Sequence, residues 1–311
     1  MNKLSYTGIL FIMVLCAAAC KKEAALTATA DETGYSVPQG TQAYDTTILN
    51  LYNKYGTYFL YRFTDKDTYW TPTAWKNSTM DTTGFWSTGY VVTTADTNYV
   101  AKQLALIKKL WLSYYSDAFL TKFLPAKIML CASVDSVYTT YLFNPTRYVK
   151  TVKSVGAWYN YDNICVNYGS SAITTLTSSD STKFLARTNL VFMQSIAGRN
   201  LSAPTNAFAS IATYANTFTS QALAYAQGII TIYYNNRSPQ LDWNAYIEAM
   251  VTRSETNLNK NTPNTDLTYQ GILNVTKDSG GKIKQRYNLI RNYFITNYGV
   301  DLQAIGNAAD K

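Results

Sequence analysis

The chain has 311 residues, of which 47% are hydrophobic and 15% charged, a balance typical of a folded globular protein and not of a disordered one. Its formal net charge is +8, but the basic residues are scattered, which argues against a nucleic-acid-binding surface. The chain contains no histidine, so a Ser-His-Asp triad, a Cys-His pair and an HExxH zinc site are all excluded.

The N-terminal segment has the order of a secretory signal. Lys3 supplies a cationic start, and an apolar run from Ile9 to Ala19 leads directly to Cys20. This run is too short to span a bilayer as a helix. The tetrapeptide Ala17-Ala18-Ala19-Cys20 resembles the lipobox of bacterial lipoproteins, in which cleavage leaves a lipid-modified cysteine as the first residue. We therefore expect a signal peptide over residues 1–19 and a lipid anchor on Cys20.

A flexible tether is predicted after the lipidated cysteine. The segment from Lys21 to Gln42 is rich in Ala, Thr and Gly and has no periodic pattern. We therefore assign residues 20–44 to the lipidated Cys20 and its tether, and residues 45–311 to one folded domain.

The first half of the domain mixes short helices with strands. A helix is predicted at Thr46–Lys54, and strands are predicted at Tyr58–Phe63, Gly89–Thr94, Lys127–Val134 and Asn163–Tyr168. Val100, Leu104, Ile107 and Trp111 recur at the spacing of one helical face, and Asp96 or Thr97 can cap that helix. The pattern leaves residues 138–155 undecided.

Three long helices are predicted in the second half. Ser179 or Asp180 can cap a helix over Thr182–Arg199, and Gly280-Gly281 precedes a helix over Lys282–Tyr298. Pro239 begins the helix between them, and its inward-facing candidates are Leu241, Trp243, Ile247 and Met250. Long helices among irregularly spaced strands predict an α+β fold, helix-rich with a small mixed sheet.

Cys131 and Cys165 both fall in predicted apolar strands. An exported protein can form a disulfide between two such residues, but two buried thiols on neighbouring strands fit the pattern equally well. The sequence leaves both alternatives open.

Carboxylates offer the main remaining catalytic chemistry. A pair of acids could hydrolyse a glycoside, with Asp162, Asp180, Asp242 and Glu248 as candidates, but no spacing selects two of them. Asp180 and Asp242 also fit the simpler role of helix-start residues. The run Asp65-Lys66-Asp67 offers oxygen ligands for calcium but lacks the rest of an EF-hand pattern.

Aromatic residues offer a binding surface. The chain has 27 tyrosines, and a Tyr- or Trp-lined groove drawn from Trp70, Trp75 and Trp86 would favour a ligand-binding protein over a purely structural lipoprotein. Tyrosines that simply replace phenylalanine in half-exposed elements would give the same composition.

Four segments in order after the lipobox carry a family resemblance. They are LNLYNKYGTYFLYRFTDKDTYW (49–70), LPAKIMLCASV (124–134), SPQLDWNAYIEAMV (238–251) and KIKQRYNLIRNYFITNYGVDLQAI (282–305). Together they resemble the HExxH metallopeptidase-like lipoproteins of Bacteroidetes, described as substrate-import-associated zinc metallohydrolase lipoproteins. The resemblance implies a zincin-like single domain in which the helix at 182–199 would carry the zinc motif.

The chain departs from that family at the metal site. If Gln194 occupies the position of the catalytic glutamate, Met193 and Ala197 replace the two histidines, and a register one residue earlier gives Phe192 and Ile196. Neither register supplies a zinc ligand, so no metal or other cofactor is expected. We expect Phe192, Met193 and Ile196 to fill the vacated metal cavity.

The resemblance favours a noncatalytic binding or scaffold lipoprotein, anchored in the outer membrane through lipid on Cys20. It implies association with a TonB-linked nutrient-uptake complex and a glycan or peptide ligand, with no nucleic-acid partner. Two alternatives remain open at this stage: a carboxylate-based glycan hydrolase on the cell surface, and a structural lipoprotein without a small ligand. The absence of histidine weighs against an enzyme.

Overall fold

The computed structural model describes residues 34–75 and 88–310, with the side chains of residues 74 and 75 left out. The predicted signal peptide, Cys20, most of the predicted tether and Trp86 lie outside the described residues. From Val37 onward the described residues belong to one compact unit. Within these ranges no helix is both long enough and apolar enough to cross a membrane.

Eight strands are described. Their bounds are β1 Tyr58–Leu60, β2 Trp70–Thr71, β3 Ala74–Trp75, β4 Gly89–Thr94, β5 Lys127–Phe143, β6 Thr146–Ser154, β7 Ala157–Asn160 and β8 Asn163–Val166. Strands β2 and β3 form a small antiparallel pair, and the other six form one sheet.

The six-stranded sheet is built around β5. The first part of β5 lies between β1 and β8 and is parallel to both, and β7 continues the sheet antiparallel to β8. The later part of β5 pairs antiparallel with β4 and β6. Ile128, Met129 and Leu130 are fully buried, as expected for a strand covered on both faces. The predicted mixed sheet is confirmed.

Eleven α-helices are assigned within the described ranges. Their bounds are α1 Ala43–Tyr55, α2 Asp65–Tyr69, α3 Val100–Leu110, α4 Asp117–Phe123, α5 Ser178–Gly198, α6 Asn206–Ala209, α7 Gln221–Ala226, α8 Pro239–Thr252, α9 Glu255–Leu258, α10 Lys282–Tyr298 and α11 Leu302–Ala309. Short 3₁₀ turns lie at Leu112–Tyr114 and Ser171–Thr175. The fold is therefore α+β and rich in helix, as the sequence predicts.

Local chemistry sets the ends of the long helices. Helix α5 begins after Thr177, whose hydroxyl accepts the N–H of Asp180 while the Asp180 carboxylate accepts the N–H of Thr177. Helix α8 begins with Ser238 as its cap and proline at its first position. Helix α10 lies between Gly281 and Gly299, whose φ angles of 68° and 65° favour glycine.

Several expected elements differ from those observed. Strand β1 ends at Leu60, and the region 138–155, undecided from sequence, forms the last part of β5 and the whole of β6. Asp65, Lys66 and Asp67 form the first turn of α2, where Asp67 accepts the N–H of Thr64, so this run is a helix start and not a calcium loop. The described ranges contain no cluster of three or more acidic or cysteine side chains that could hold a metal ion.

Helix α1 begins at Ala43, two residues before the expected start of the domain. Gln39 already contacts the folded unit, because its side chain donates to the carbonyl of Arg62 and accepts the N–H of Tyr61. Ordered contacts therefore extend into residues that the sequence assigns to the tether.

Cys131 and Cys165 lie on the neighbouring strands β5 and β8, and both are buried and unpaired. Burial, together with the nearby Cys131 thiol, raises the pKa of the Cys165 thiol well above its ordinary value. The structure therefore contains two buried thiols at these positions and not a disulfide.

One side of α5 lies in the main core. The ring of Phe192 packs edge to face on Trp111 and Tyr115, with centroids 5.4 and 5.1 Å apart. Met193 and Ile196 are also buried, and they belong to the same hydrophobic cluster as Phe192. This packing fixes the rotation of α5 about its axis, and thereby the residues that its other side presents to solvent.

Candidate ligand-binding cleft

A cleft of about 840 Å³ lies beside helices α5 and α8, which pack against each other. Helix α5 contributes Gln194 and Ala197, and α8 contributes residues between Leu241 and Glu248. The polar side chains that line it include Gln194, Asn235, Asn236, Asn244, Glu248 and Tyr269. Thr231, Thr268 and Arg253 also line it, so amides are its commonest polar groups and Glu248 and Arg253 contribute one charge of each sign.

Three of these side chains meet across the cleft. The amide Nε2 of Gln194 donates to Oε1 of Glu248 at 3.1 Å, and the hydroxyl of Tyr269 donates to Oε2 at 3.3 Å. Burial, followed by the negative charge of Glu248, raises the pKa of Tyr269 above its ordinary value. Tyr269 consequently remains a neutral phenol that can donate a hydrogen bond over the whole physiological range.

The arrangement leaves Glu248 partly exposed, with each carboxylate oxygen already accepting one hydrogen bond from a neutral group. A carboxylate oxygen has two acceptor positions, so each can accept a second hydrogen bond from a ligand. The neighbouring amides of Asn244 and Gln194 can both donate and accept. This set suits a neutral ligand with several hydroxyl or amide groups.

The second acid of α8, Asp242, has a different role. It is fully buried, and its Oδ1 accepts the N–H groups of Ile230 at 2.9 Å and Thr231 at 3.1 Å. Its Oδ2 accepts the Tyr214 hydroxyl at 3.0 Å and forms an ion pair with Arg286. Ile230 and Thr231 also line the cleft, so Asp242 holds one cleft wall in place from behind.

Arg286 completes this buried network from helix α10. It donates to the carbonyl of Gly228 at 2.5 Å and to the Tyr214 hydroxyl, and its guanidinium lies 3.7 Å from the ring centre of Phe208. Burial is the largest single effect and lowers the pKa of Arg286, but Asp242, Tyr246 and Tyr214 together outweigh it, so the pKa is raised. Asp242 lies in the first turn of α8, as its interpretation as a helix-start residue predicts, and it is in addition a structural ion-pair partner.

The four acids suggested for glycoside hydrolysis are not brought together. Asp162 pairs with Lys127 at 3.0 Å beside the sheet. The cap of α5 is Thr177 and not Ser179 or Asp180, and Asp180 lies in the first turn, where it completes the capping box. Asp242 is fully buried, which leaves Glu248 as the one member of the four that lines the cleft. Two facing carboxylates are needed for glycoside hydrolysis, and these candidates do not supply them.

The positions of the suggested metal motif divide between core and cleft. Gln194 and Ala197 line the cleft, whereas Met193 is 4% exposed and lies in the core. Phe192 and Ile196 of the alternative register are also buried. Phe192, Met193 and Ile196 are packed in the core and do not line the cleft, so the expectation that they fill a vacated metal cavity stays a prediction. Correspondence of these positions to a metal motif stays a prediction.

The suggested tryptophan groove lies largely outside the described side chains. Trp70 is 48% exposed, but the side chain of Trp75 and the whole of Trp86 are not described. The cleft beside α5 is formed by other residues. Among these, Asn235, Asn236 and Tyr269 lie in irregular segments whose sequences have no periodic pattern, and sequence reasoning did not identify them.

No family model matches the chain, and no curated protein matches it. Among solved structures, the fold is similar to the crystal structure of a proposed zinc-binding metallo-peptidase from Bacteroides caccae ATCC 43185. The two are 14% identical, with a TM-score of 0.47, and the similarity covers 86% of this chain and 89% of that chain. Similarity at this level transfers neither residue roles nor activity.

Proposed function

We propose that this chain is an outer-membrane lipoprotein whose folded unit binds a ligand in the cleft beside α5 and α8 without catalysing a reaction. The lipobox-like Ala17-Ala18-Ala19-Cys20 supports the anchor. The four family-like segments support a zincin-like origin for the fold, with α5 in the place of a metal-binding helix. The same resemblance supports a role beside a TonB-linked uptake complex.

The arrangement of Gln194, Glu248 and Tyr269 carries the binding proposal. In a zinc peptidase the corresponding cleft would hold histidine ligands and a water-activating glutamate. Here the chain has no histidine, and the carboxylate of Glu248 accepts hydrogen bonds from an amide and a phenol. Such a group orients a ligand well, because its own position is held on both sides.

The ligand class follows from the lining. Leu241 and Leu267 expose apolar side chains at the cleft, at 45% and 39%, beside the amides of Asn235 and Asn244. An oligosaccharide or a short peptide presents the same mixture of C–H surface and hydrogen-bonding groups. We propose a ligand of one of these two kinds.

The binding proposal is tested by calorimetric titration of the lipidated protein with oligosaccharide and peptide panels. For a ligand that hydrogen-bonds Glu248, the E248Q substitution is expected to weaken binding about tenfold, the loss of one charge-assisted hydrogen bond. E255Q provides the matched control, since Glu255 lies on α9 outside the cleft. Stoichiometric zinc, or peptide cleavage that a chelator stops, would overturn the noncatalytic assignment.

The membrane proposal is tested separately. Mass spectrometry of the N-terminal peptide should find acyl chains on Cys20, and C20S should abolish them and release the protein from the membrane fraction. Affinity purification of the lipidated protein from native membranes should recover a TonB-linked transporter. An unmodified Cys20 in the membrane-bound protein would refute the anchor.

A further inference from the structure

Strands β5 and β6 extend beyond the rest of the sheet as a two-stranded hairpin. Strand β4 pairs with β5 as far as Val137, and β6 pairs with β5 as far as Phe143. In the described part of the chain, residues 138–143 therefore have β6 as their sole strand partner. At about 3.4 Å per residue this arm is roughly 20 Å long. The segment Asn144-Pro145 forms its tip.

The register places aromatic side chains together on one face of the hairpin. Tyr141 lies opposite Tyr148, so the two side chains point to the same side, and Phe143 lies two residues further along that side. The ring of Tyr141 contacts those of Phe143 and Tyr148, with centroid distances of 4.7 and 5.0 Å. The three rings form one cluster, which we name the tip cluster.

The tip cluster is exposed to solvent. Phe143 is 83% exposed, and Tyr141 and Tyr148 are 39% and 40% exposed. Leu142 at the tip and Val152 on the returning strand are also exposed, at 37% and 52%. Apolar side chains gathered at the end of a projecting arm mark an interaction surface, since single exposed residues are ordinary but clusters are not.

The charge of the hairpin has one sign. Between Ser136 and Ser154 the sequence contains Arg147, Lys150 and Lys153 and no Asp or Glu. Lys150 lies opposite Thr139, on the same face as the tip cluster, and Arg147 lies opposite Leu142 on the other face. The arm therefore carries one cation on each face, and Lys150 shares its face with the tip cluster.

We propose that this hairpin docks onto the surface of a lipid bilayer that carries anionic headgroups. Tyrosine and phenylalanine rings partition into the interfacial layer, and arginine and lysine side chains meet the negative headgroups beside them. The proposal rests on the membrane location given under the proposed function, but not on the lipid anchor itself or on the cleft ligand. It gives the folded unit a second contact with the bilayer and so a defined orientation above it.

The test measures whether the tip of the hairpin enters the bilayer when the complete lipidated protein is bound to vesicles. An environment-sensitive fluorophore is attached to N144C and, as the matched control, to V275C, which replaces a side chain 73% exposed outside the hairpin. The native Cys131 and Cys165 are buried and do not compete for the label. The protein is reconstituted into vesicles of phosphatidylcholine alone, or of phosphatidylcholine mixed with phosphatidylglycerol, with brominated lipids as quenchers.

We expect the N144C label to shift to the blue and to be quenched in the anionic vesicles, and the V275C label to be unaffected. Replacing Tyr141 and Phe143 by serine should reduce the inserted fraction at least about tenfold, because each ring loses its burial in the interface. Replacing Arg147 by glutamine should reduce it by about fivefold in anionic vesicles only. All of these side chains lie on the exposed arm, and circular dichroism checks that each variant is folded.

The proposal is overturned if the tip label is unquenched in every vesicle, or if it is protected only in native membranes, where a protein partner would then be the occupant. The state of Cys20 is read by mass spectrometry on the same samples. If Cys20 is unmodified, the labelling is repeated in N144C with C20S, which removes the competing thiol. A quenched tip in that variant would uphold the hairpin contact although the anchor is refuted, so the two failures are distinguishable.

Discussion

Asp242 and Glu248 lie on the same helix, yet they meet opposite surroundings. Asp242 is fully buried near the start of α8 and is compensated by two backbone N–H groups, a phenol and the guanidinium of Arg286. Glu248 lies in the cleft about 1.7 turns later, and its partners are the neutral side chains of Gln194 and Tyr269.

The difference separates a structural carboxylate from a binding one. A buried charge needs a full set of partners, because leaving it without them costs several kcal/mol. Asp242 has such a set and no room for a ligand. Glu248 retains acceptor capacity toward the cleft, and it keeps its charge partly exposed to water. Residue type and helix position alone do not distinguish these roles.

The largest expected effect comes from removing the cation that pairs with Asp242. We expect R286M to lower the free energy of unfolding by about 3–5 kcal/mol, because Asp242 is then left buried without its counter-charge. Urea denaturation followed by circular dichroism measures this change. The matched substitution in the cleft, E248Q, should change the same quantity by less than about 1 kcal/mol.

A double substitution sharpens the interpretation of that loss. In the double variant R286M/D242N both members of the buried ion pair are replaced by neutral side chains, so much of the stability lost in R286M should return. If R286M alone has no larger effect than E248Q, or if the double variant is as unstable as the sum of two independent losses, the assignment of Asp242 as an ion-paired structural residue fails.

A smaller effect is expected when the cleft acid receives a like charge. In Q194E two carboxylates would lie within about 3 Å of each other, and their repulsion raises the pKa of the pair above that of the unfolded chain. The variant should match the wild type near pH 4 and become about 1–2 kcal/mol less stable as pH rises through the raised pKa. Thermal unfolding across pH measures this, and Q194N, which stays neutral, should show no such trend.

The comparison also shows which parts of the fold were predictable. The start of α8 at Pro239 and the bounds of α10, Lys282–Tyr298, were predicted and are confirmed, because Ser238-Pro239, Gly281 and Gly299 act on their immediate neighbours. The hairpin from β5 to β6 depends on pairs across two strands, such as Tyr141 with Tyr148. Its outer half is exposed on both faces, so it lacks the alternation of apolar and polar residues that identifies a strand.

The candidate site was predictable only in parts. Asp242, Glu248 and Gln194 were each identified from the sequence, but their partners were not. Arg286 lies 44 residues from Asp242, and Glu248 lies 54 residues from Gln194. Their pairing depends on how α5, α8 and α10 pack, and no local pattern encodes that packing.

A more modest effect is expected from neutralising Glu248. We expect E248Q to lower the free energy of unfolding by less than about 1 kcal/mol, because an amide oxygen can still accept one of the two hydrogen bonds and the site is partly exposed. Its clearer consequence is on Tyr269, whose pKa is raised by burial first and by Glu248 second. The phenol should therefore titrate at lower pH in E248Q than in the wild type, which ultraviolet absorbance of the phenolate detects.

The smallest effect at neutral pH is expected for Y269F. It should lower the free energy of unfolding by about 0.5 kcal/mol, because one partly exposed hydrogen bond is lost. Its signature lies in alkaline solution. The folded-state pKa of Tyr269 is raised, so its contribution to stability is complete below about pH 10, the ordinary tyrosine value, and is lost as pH rises toward the raised pKa. The wild type should lose more stability than Y269F across that window in urea denaturation. Equal losses would mean that the pKa of Tyr269 is not raised in the folded protein, and the buried, hydrogen-bonded placement of this phenol beside Glu248 would then be wrong.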